Sequence, residues 1–107
     1  AGSYRFMPPE QVSDFLHVKP PADVWSLGAA FYNLLTGNFP HDFPPGVDPL
    51  GVVLSGEVVP LRERFPQAPG WLAGIIDTAL RMKPERRYQD AGEMLKALRI
   101  DAPASYD

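Results

Sequence analysis

Between Ala22 and Thr36 the chain leaves almost no polar face, because Val24, Trp25, Leu27, Ala29, Ala30, Phe31, Tyr32, Leu34 and Leu35 fall on every side of a helical wheel. A helix apolar all round needs neighbours all round. Thirteen prolines cut the remaining sequence into short apolar-periodic stretches that read as helices joined by loops, which leaves little room for a sheet. The expected fold class is therefore all-α, a helical bundle assembled about one central, buried helix.

The other elements follow from local signals. Pro9 and Glu10 open a short helix to about Leu16, with proline tolerated in the first turn and the acid at the positive end of the dipole. Lys19-Pro20-Pro21 reads as a break before the central helix, and Gly37-Asn38 as its C-terminal cap. An aromatic and proline-rich loop covers 38–47. Asp48 then caps a short helix from Pro49 to about Ser55. Residues 57–68 read as an extended linker, anchored by Val58, Val59, Pro60 and Leu61 and carrying a solvated Arg62-Glu63-Arg64 cluster. From Pro69 to Met82, Trp71, Leu72, Ile75, Ile76, Ala79 and Leu80 recur at helical spacing. Asp90 and Glu93 form a capping box for a last helix that buries Met94, Leu95 and Leu98, and 100–107 reads as a tail or linker.

Composition narrows the function classes. A net charge of −3 gives no pull toward nucleic acid, which a basic excess or stripe would supply. The absence of cysteine removes disulfides and thiolate metal sites and fits a reducing compartment. No apolar run approaches the roughly 20 residues that span a bilayer, so no membrane contact is expected from this segment and a cytoplasmic location is the expectation. His17 and His41 stand alone without ligand-spaced partners, Asp14, Asp42, Asp48 and Asp77 read as helix-end and surface charges, and Ser13, Ser26, Ser55 and Ser105 lack the surroundings of a nucleophile. Trp25 and Trp71 read as core residues.

Three fragments occur in fixed order: Met7-Pro8-Pro9-Glu10-Gln11, Asp23-Val24-Trp25-Ser26-Leu27-Gly28 and Lys83-Pro84-Glu85-Arg86-Arg87-Tyr88. Together they resemble the closing motifs of a protein kinase. The first is similar to the Ala-Pro-Glu end of the activation segment, the second to the Asp-x-Trp-Ser-x-Gly start of the central large-lobe helix, and the third to the Asp-Pro-x-x-Arg motif before the last helix. Pro8 replaces the usual alanine and Lys83 the usual aspartate. The Pro-Glu-Gln and Pro-x-x-Arg-Tyr variants resemble most the eukaryotic-type serine/threonine kinases of bacteria. Nothing in the chain resembles the glycine-rich loop, the strand lysine, the His-Arg-Asp loop or the Asp-Phe-Gly metal motif that phosphoryl transfer requires.

The resemblance implies that 1–99 is a partial kinase large lobe, from the end of the activation segment to the last helix, with 100–107 beyond it. It implies a buried ion pair between Glu10 and Arg87, against the plainer reading of a helix-end acid and a surface cluster of Arg81, Lys83, Arg86 and Arg87. It also implies that Asp23 anchors a catalytic loop lying outside this chain, where the plainer reading is a first-turn acid favoured by the dipole. Gly2, Ser3, Tyr4, Arg5 and Phe6 resemble the loop that shapes the substrate pocket after the phosphoacceptor; Ala1-Gly2-Ser3 as a cloning scar is the alternative. No catalytic, cofactor-binding or metal residue is expected in the chain itself, and ATP and magnesium are implied for the parent alone.

Two functions remain open on these residues. One is a fragment of a serine/threonine kinase that carries substrate-docking and lobe-stabilising elements; the other is a kinase-like remnant acting as a non-catalytic interaction module. The expected partners are the missing kinase half, the parent's protein substrate, or a second copy joined through exposed apolar surface. A nucleic-acid binder built on Arg81, Lys83, Arg86 and Arg87 is disfavoured by the acidic balance.

Overall fold

A computed structural model of the chain describes residues 3–13 and 19–103. Six α-helices lie among the described residues: α1 (Pro9–Ser13), α2 (Pro20–Thr36), α3 (Pro49–Ser55), α4 (Leu61–Arg64), α5 (Gly70–Ala79) and α6 (Ala91–Asp101), with 3-10 turns at Ser3–Phe6 and Pro84–Arg86 and no strand. The helix expected to run to about Leu16 is described only to Ser13; the rest of that reading, and His17 and Asp14 with it, lies outside the described residues.

α2 is the axis of the bundle. Its Trp25, Ala29 and Tyr32 pack with Leu61 of α4, Ala68, and Ala73, Ile76 and Leu80 at α5. Val24, one residue round, points into a second cluster with Ile75, Ala79 and Met94, against which Trp71, Tyr88 and Leu98 lean. α5 therefore joins two cores, one shared with α2 and α4 and the other with α6. Close approach of α2 to α5 rests on Gly28, where an added Cβ would stand 2.9 Å from the Ala79 Cβ and 3.4 Å from the Leu80 Cγ.

Several boundaries differ from the sequence expectation, each for a local reason. Pro20 and Pro21 begin α2 instead of breaking the chain before it, since prolines in the first turn lack N–H groups that would have no helical partner anyway. Gly37 ends α2 in the left-handed region at φ 71°, with its N–H bonded to the Asn33 carbonyl at 2.8 Å. The linker 57–68 contains α4, whose first N–H, on Leu61, is accepted by Asp77 Oδ1 of α5 at 3.0 Å. α5 is shorter than Pro69 to Met82, and the carbonyls of Arg81 and Met82 leave the helix to accept from Arg87.

Asp90 caps α6 as expected, accepting the Glu93 N–H at 2.7 Å. The return bond of the box is displaced by one residue, with Glu93 Oε1 accepting from Gln89 at 3.4 Å. α6 buries Met94, but Leu95 is 49% exposed, because it falls outside the face turned to α5. Ile100 and Asp101, read as the start of the tail, continue the helix, and 104–107 lie outside the described residues.

α2 is not enclosed on every side by this chain. Leu34 is 80% exposed, and Leu27 and Leu35 are exposed as well.

Two helical glycines should respond in opposite ways to substitution. Gly28→Val should destabilise the fold by about 1–3 kcal/mol through overpacking against Ala79 and Leu80. Gly74→Ala, with nothing within 4 Å of the added methyl, should stabilise it by about 0.5–1 kcal/mol through helix propensity. Urea unfolding of the two variants beside the unsubstituted chain checks both signs.

Candidate functional site

Arg87 follows the Pro84–Arg86 turn, and its side chain is fully buried. Its Nη1 and Nη2 donate to Glu10 Oε2 at 2.6 Å and Oε1 at 2.8 Å, the paired fork that matches a guanidinium to a carboxylate. The remaining donors are also used. Nε donates to the Arg81 carbonyl at 2.7 Å, Nη1 to the Pro21 carbonyl at 3.1 Å and Nη2 to the Met82 carbonyl at 3.2 Å. All five N–H groups of the guanidinium thus have acceptors, drawn from α1, the first turn of α2 and the connection between α5 and α6. The neighbouring Arg81, Lys83 and Arg86 stay exposed, so Arg87 does not belong to a surface cluster with them.

Asp23 lies two residues after Pro21, in the first turn of α2. It is exposed, and no described residue donates a hydrogen bond to it. Leu27, Ala30 and Leu34 fall at i+4, i+7 and i+11 from it, along one stripe of the helix. Leu27 and Leu34 are exposed on that stripe and Ala30 is half-buried. The opposite face, with Val24, Trp25, Ala29 and Tyr32, is dry. α2 therefore presents a carboxylate at the head of an apolar strip.

Of the residues Gly2, Ser3, Tyr4, Arg5 and Phe6, the first lies outside the described residues and the other four form a 3-10 turn. The turn is tied down at its end, where the Ser26 hydroxyl of α2 donates to the Phe6 carbonyl at 2.7 Å. Aromatic contacts hold its outer part. Tyr4 meets Phe43 edge-on at 5.1 Å, Phe6 meets Phe39 at 5.5 Å, and the Arg5 guanidinium sits 4.7 Å from the Tyr4 ring centre and 5.3 Å from that of Phe39. An arginine over two aromatic faces is held by the ring quadrupoles.

Sequence reasoning missed several polar roles. Arg64, read as a solvated charge, donates from Nε to the Tyr32 hydroxyl at 2.9 Å and from Nη2 to Asp42 Oδ1 at 2.7 Å. Tyr32 in turn donates to the Val59 carbonyl at 2.8 Å. Burial pushes the Tyr32 phenol above its ordinary range, against the lowering pull of Arg64. Asp77, read as a surface charge, is the remote cap of α4. A tyrosine on an otherwise apolar helix was the available signal, since a buried phenol needs a partner.

Among the described residues no group of three His, Cys, Asp or Glu lies close enough to hold an ion. A cavity of about 210 Å³ is lined by Val58, Pro60, Asp77 and Leu80.

No family profile matches the chain, but individual proteins do. It is 36% identical over 97 residues to the tyrosine-protein kinase MasK of Myxococcus xanthus and 32% identical over 97 residues to a probable serine/threonine-protein kinase of Clostridium acetobutylicum. Each match covers 91% of this chain, which spans only 15% of either relative. Among solved structures, the apo form of PpkA-294 superposes with a TM-score of 0.64 at 33% identity, over 88% of this chain and 31% of that one. The chain belongs to the protein kinases of the eukaryotic type, as a segment of their helical large lobe.

Breaking the Glu10–Arg87 pair should cost about 3–5 kcal/mol, because loss of Glu10 leaves the buried Arg87 charge without its partner and loss of Arg87 leaves a half-buried carboxylate and three carbonyls without their donor. Glu10→Gln and Arg87→Met should each show this loss in urea unfolding. Arg87→Lys should not restore stability, since an ammonium with three donors cannot satisfy five acceptor atoms around a plane.

Proposed function

We propose that this chain is the substrate-docking and lobe-stabilising part of a serine/threonine protein kinase and is not catalytic by itself. The parent would transfer the γ-phosphate of ATP, with magnesium, to protein hydroxyls, using groups supplied from outside this segment. The observation that carries the reading is the exposed stripe Asp23–Leu27–Ala30–Leu34 on a helix whose other face is fully packed. A surface leucine as bare as Leu34 is unremarkable singly, but in line with Leu27 below a free carboxylate it makes a strip shaped for another part of a lobe. Asp23 would accept backbone N–H groups of the catalytic loop, holding that loop in place. The Ser3–Phe6 turn, fixed on α2 and on the aromatic loop, would face the residue after the phosphoacceptor.

A second reading rests on the same stripe, since a partner other than a kinase half can seat on it. In that case the chain is a kinase-like interaction module. Complementation separates the two.

The part of the Clostridium relative that precedes its match to this chain is mixed with this chain, Mg-ATP and a casein substrate. Phosphate transfer to serine or threonine should need both halves, as read by phosphoamino-acid analysis. Asp23→Ala should lower it about 10- to 100-fold through loss of charge-assisted hydrogen bonds, while leaving the stability of the chain alone within about 1 kcal/mol. Leu34→Asp should weaken association of the halves by a similar factor. Transfer by this chain alone would overturn the reading, and association without transfer would favour the module.

A further inference from the structure

His41 sits in the loop 39–47 and is 2% exposed. Its ring stacks on Trp25 of α2, with centroids 5.7 Å apart and planes 20° from parallel, and Phe43 meets it edge-on at 6.1 Å. Neither imidazole nitrogen has a hydrogen-bond partner, and Trp25 Nε1 beside it has none either. A neutral imidazole in such a place already forgoes a donor and an acceptor bond. A protonated one would leave two N–H donors and a full charge without water, a much larger cost.

The surroundings do little to reduce that cost. Asp42 is the charged group that acts on the ring, and its Oδ1 is taken by Arg64 at 2.7 Å. The Gly56 backbone, after α3, favours the proton without reaching hydrogen-bond geometry. α2 presents Trp25, which carries no charge. In the Ser3–Phe6 turn the Tyr4 ring is against Phe43, and Arg5 lies over Tyr4 and Phe39. Burial outweighs these influences and holds His41 below its ordinary histidine value.

We infer that His41 is an acid-sensitive latch: the neutral ring seats the loop 39–47 on Trp25, the loop's Phe39 and Phe43 hold the Ser3–Phe6 turn, and proton uptake by the ring releases both. The inference concerns the fold of this chain and stands whether or not the kinase-half reading holds. The sign follows from linkage. A histidine that resists protonation when seated binds more protons when released, so the seated state is fully favoured above the ordinary histidine range and loses ground as pH falls through it. One proton sets the limit, a rise in the released population of up to about tenfold per pH unit.

The test is hydrogen exchange by mass spectrometry on the 107-residue chain at pH 7.5 and 5.5, corrected for intrinsic rates, beside His41→Phe. Protection in 39–47 and in the Ser3–Phe6 turn should fall at the lower pH in the unsubstituted chain and hold in His41→Phe, which keeps an aromatic ring and cannot titrate. Equal pH dependence in the two proteins would overturn the latch. NMR titration of the His41 Cε1–H in the unsubstituted chain is independent of any variant. A ring that titrates below the ordinary histidine value supports the inference, and one that titrates at or above it overturns it.

Discussion

The fold closes on one guanidinium. Burying an arginine is unfavourable unless every donor finds an acceptor, and an unpaired charge in a protein interior costs several kcal/mol. Arg87 meets that condition only when three separate stretches of chain are in place: the carboxylate of Glu10, the carbonyl of Pro21 and the carbonyls of Arg81 and Met82. Two of those carbonyls are free to accept because α5 stops at Ala79. The end of one helix and the starts of two others are therefore consequences of the same side chain. Apolar packing of α2 against α5 does not reach α1, which packs on α3 and is tied to the start of α2 and the end of α5 through the pair.

Other ties repeat the pattern on a smaller scale, each joining residues far apart in sequence by one well-formed bond. Ser26 holds the end of the Ser3–Phe6 turn, Tyr32 holds Val59, and Asp77 starts α4. The Asp42–Arg64 contact is of a different kind. Asp42 is largely exposed, so its charge attraction is screened and worth little by itself; its importance lies in orienting Arg64 toward the buried Tyr32 hydroxyl. Such bonds stabilise little individually and exclude alternative packings of short helices that share similar apolar faces.

The features legible in sequence were those with a local cause. The central helix showed in its run of apolar residues, Asp48 and Asp90 in their position before Pro49 and Ala91, and the C-terminus of α2 in Gly37. The Glu10–Arg87 contact was not legible from periodicity or charge pattern at all, because nothing local links two residues 77 positions apart; it came only with the ordered motifs. What stayed hidden has distant causes. α4 reads as linker because its cap comes from α5, and the C-terminal end of α5 is overrun because Leu80 and Met82 continue its apolar spacing while the carbonyls of Arg81 and Met82 serve Arg87. Leu95 looks like a core residue by type, and only the direction in which α6 crosses α5 decides otherwise. His41 gave no signal beyond being a lone histidine, a residue whose environment is set entirely by tertiary packing.

The closing guanidinium and the exposed stripe are connected through α2. Arg87 takes the Pro21 carbonyl, two residues ahead of Asp23, and so fixes the first turn from which that carboxylate projects. Met94 and Ile75 hold the same end of the helix from the far side through Val24. No described residue bonds Asp23, yet it is mounted on a turn that cannot rotate without disturbing the Glu10–Arg87 pair. The backbone that carries the carboxylate is already fixed, so a partner docking there would not have to order it, which lowers the entropy cost. The apolar strip below it shares the advantage, since Leu27 and Leu34 ride on the same rigid helix. Whatever seats on α2 meets a surface whose geometry was set by contacts on the opposite side of the bundle.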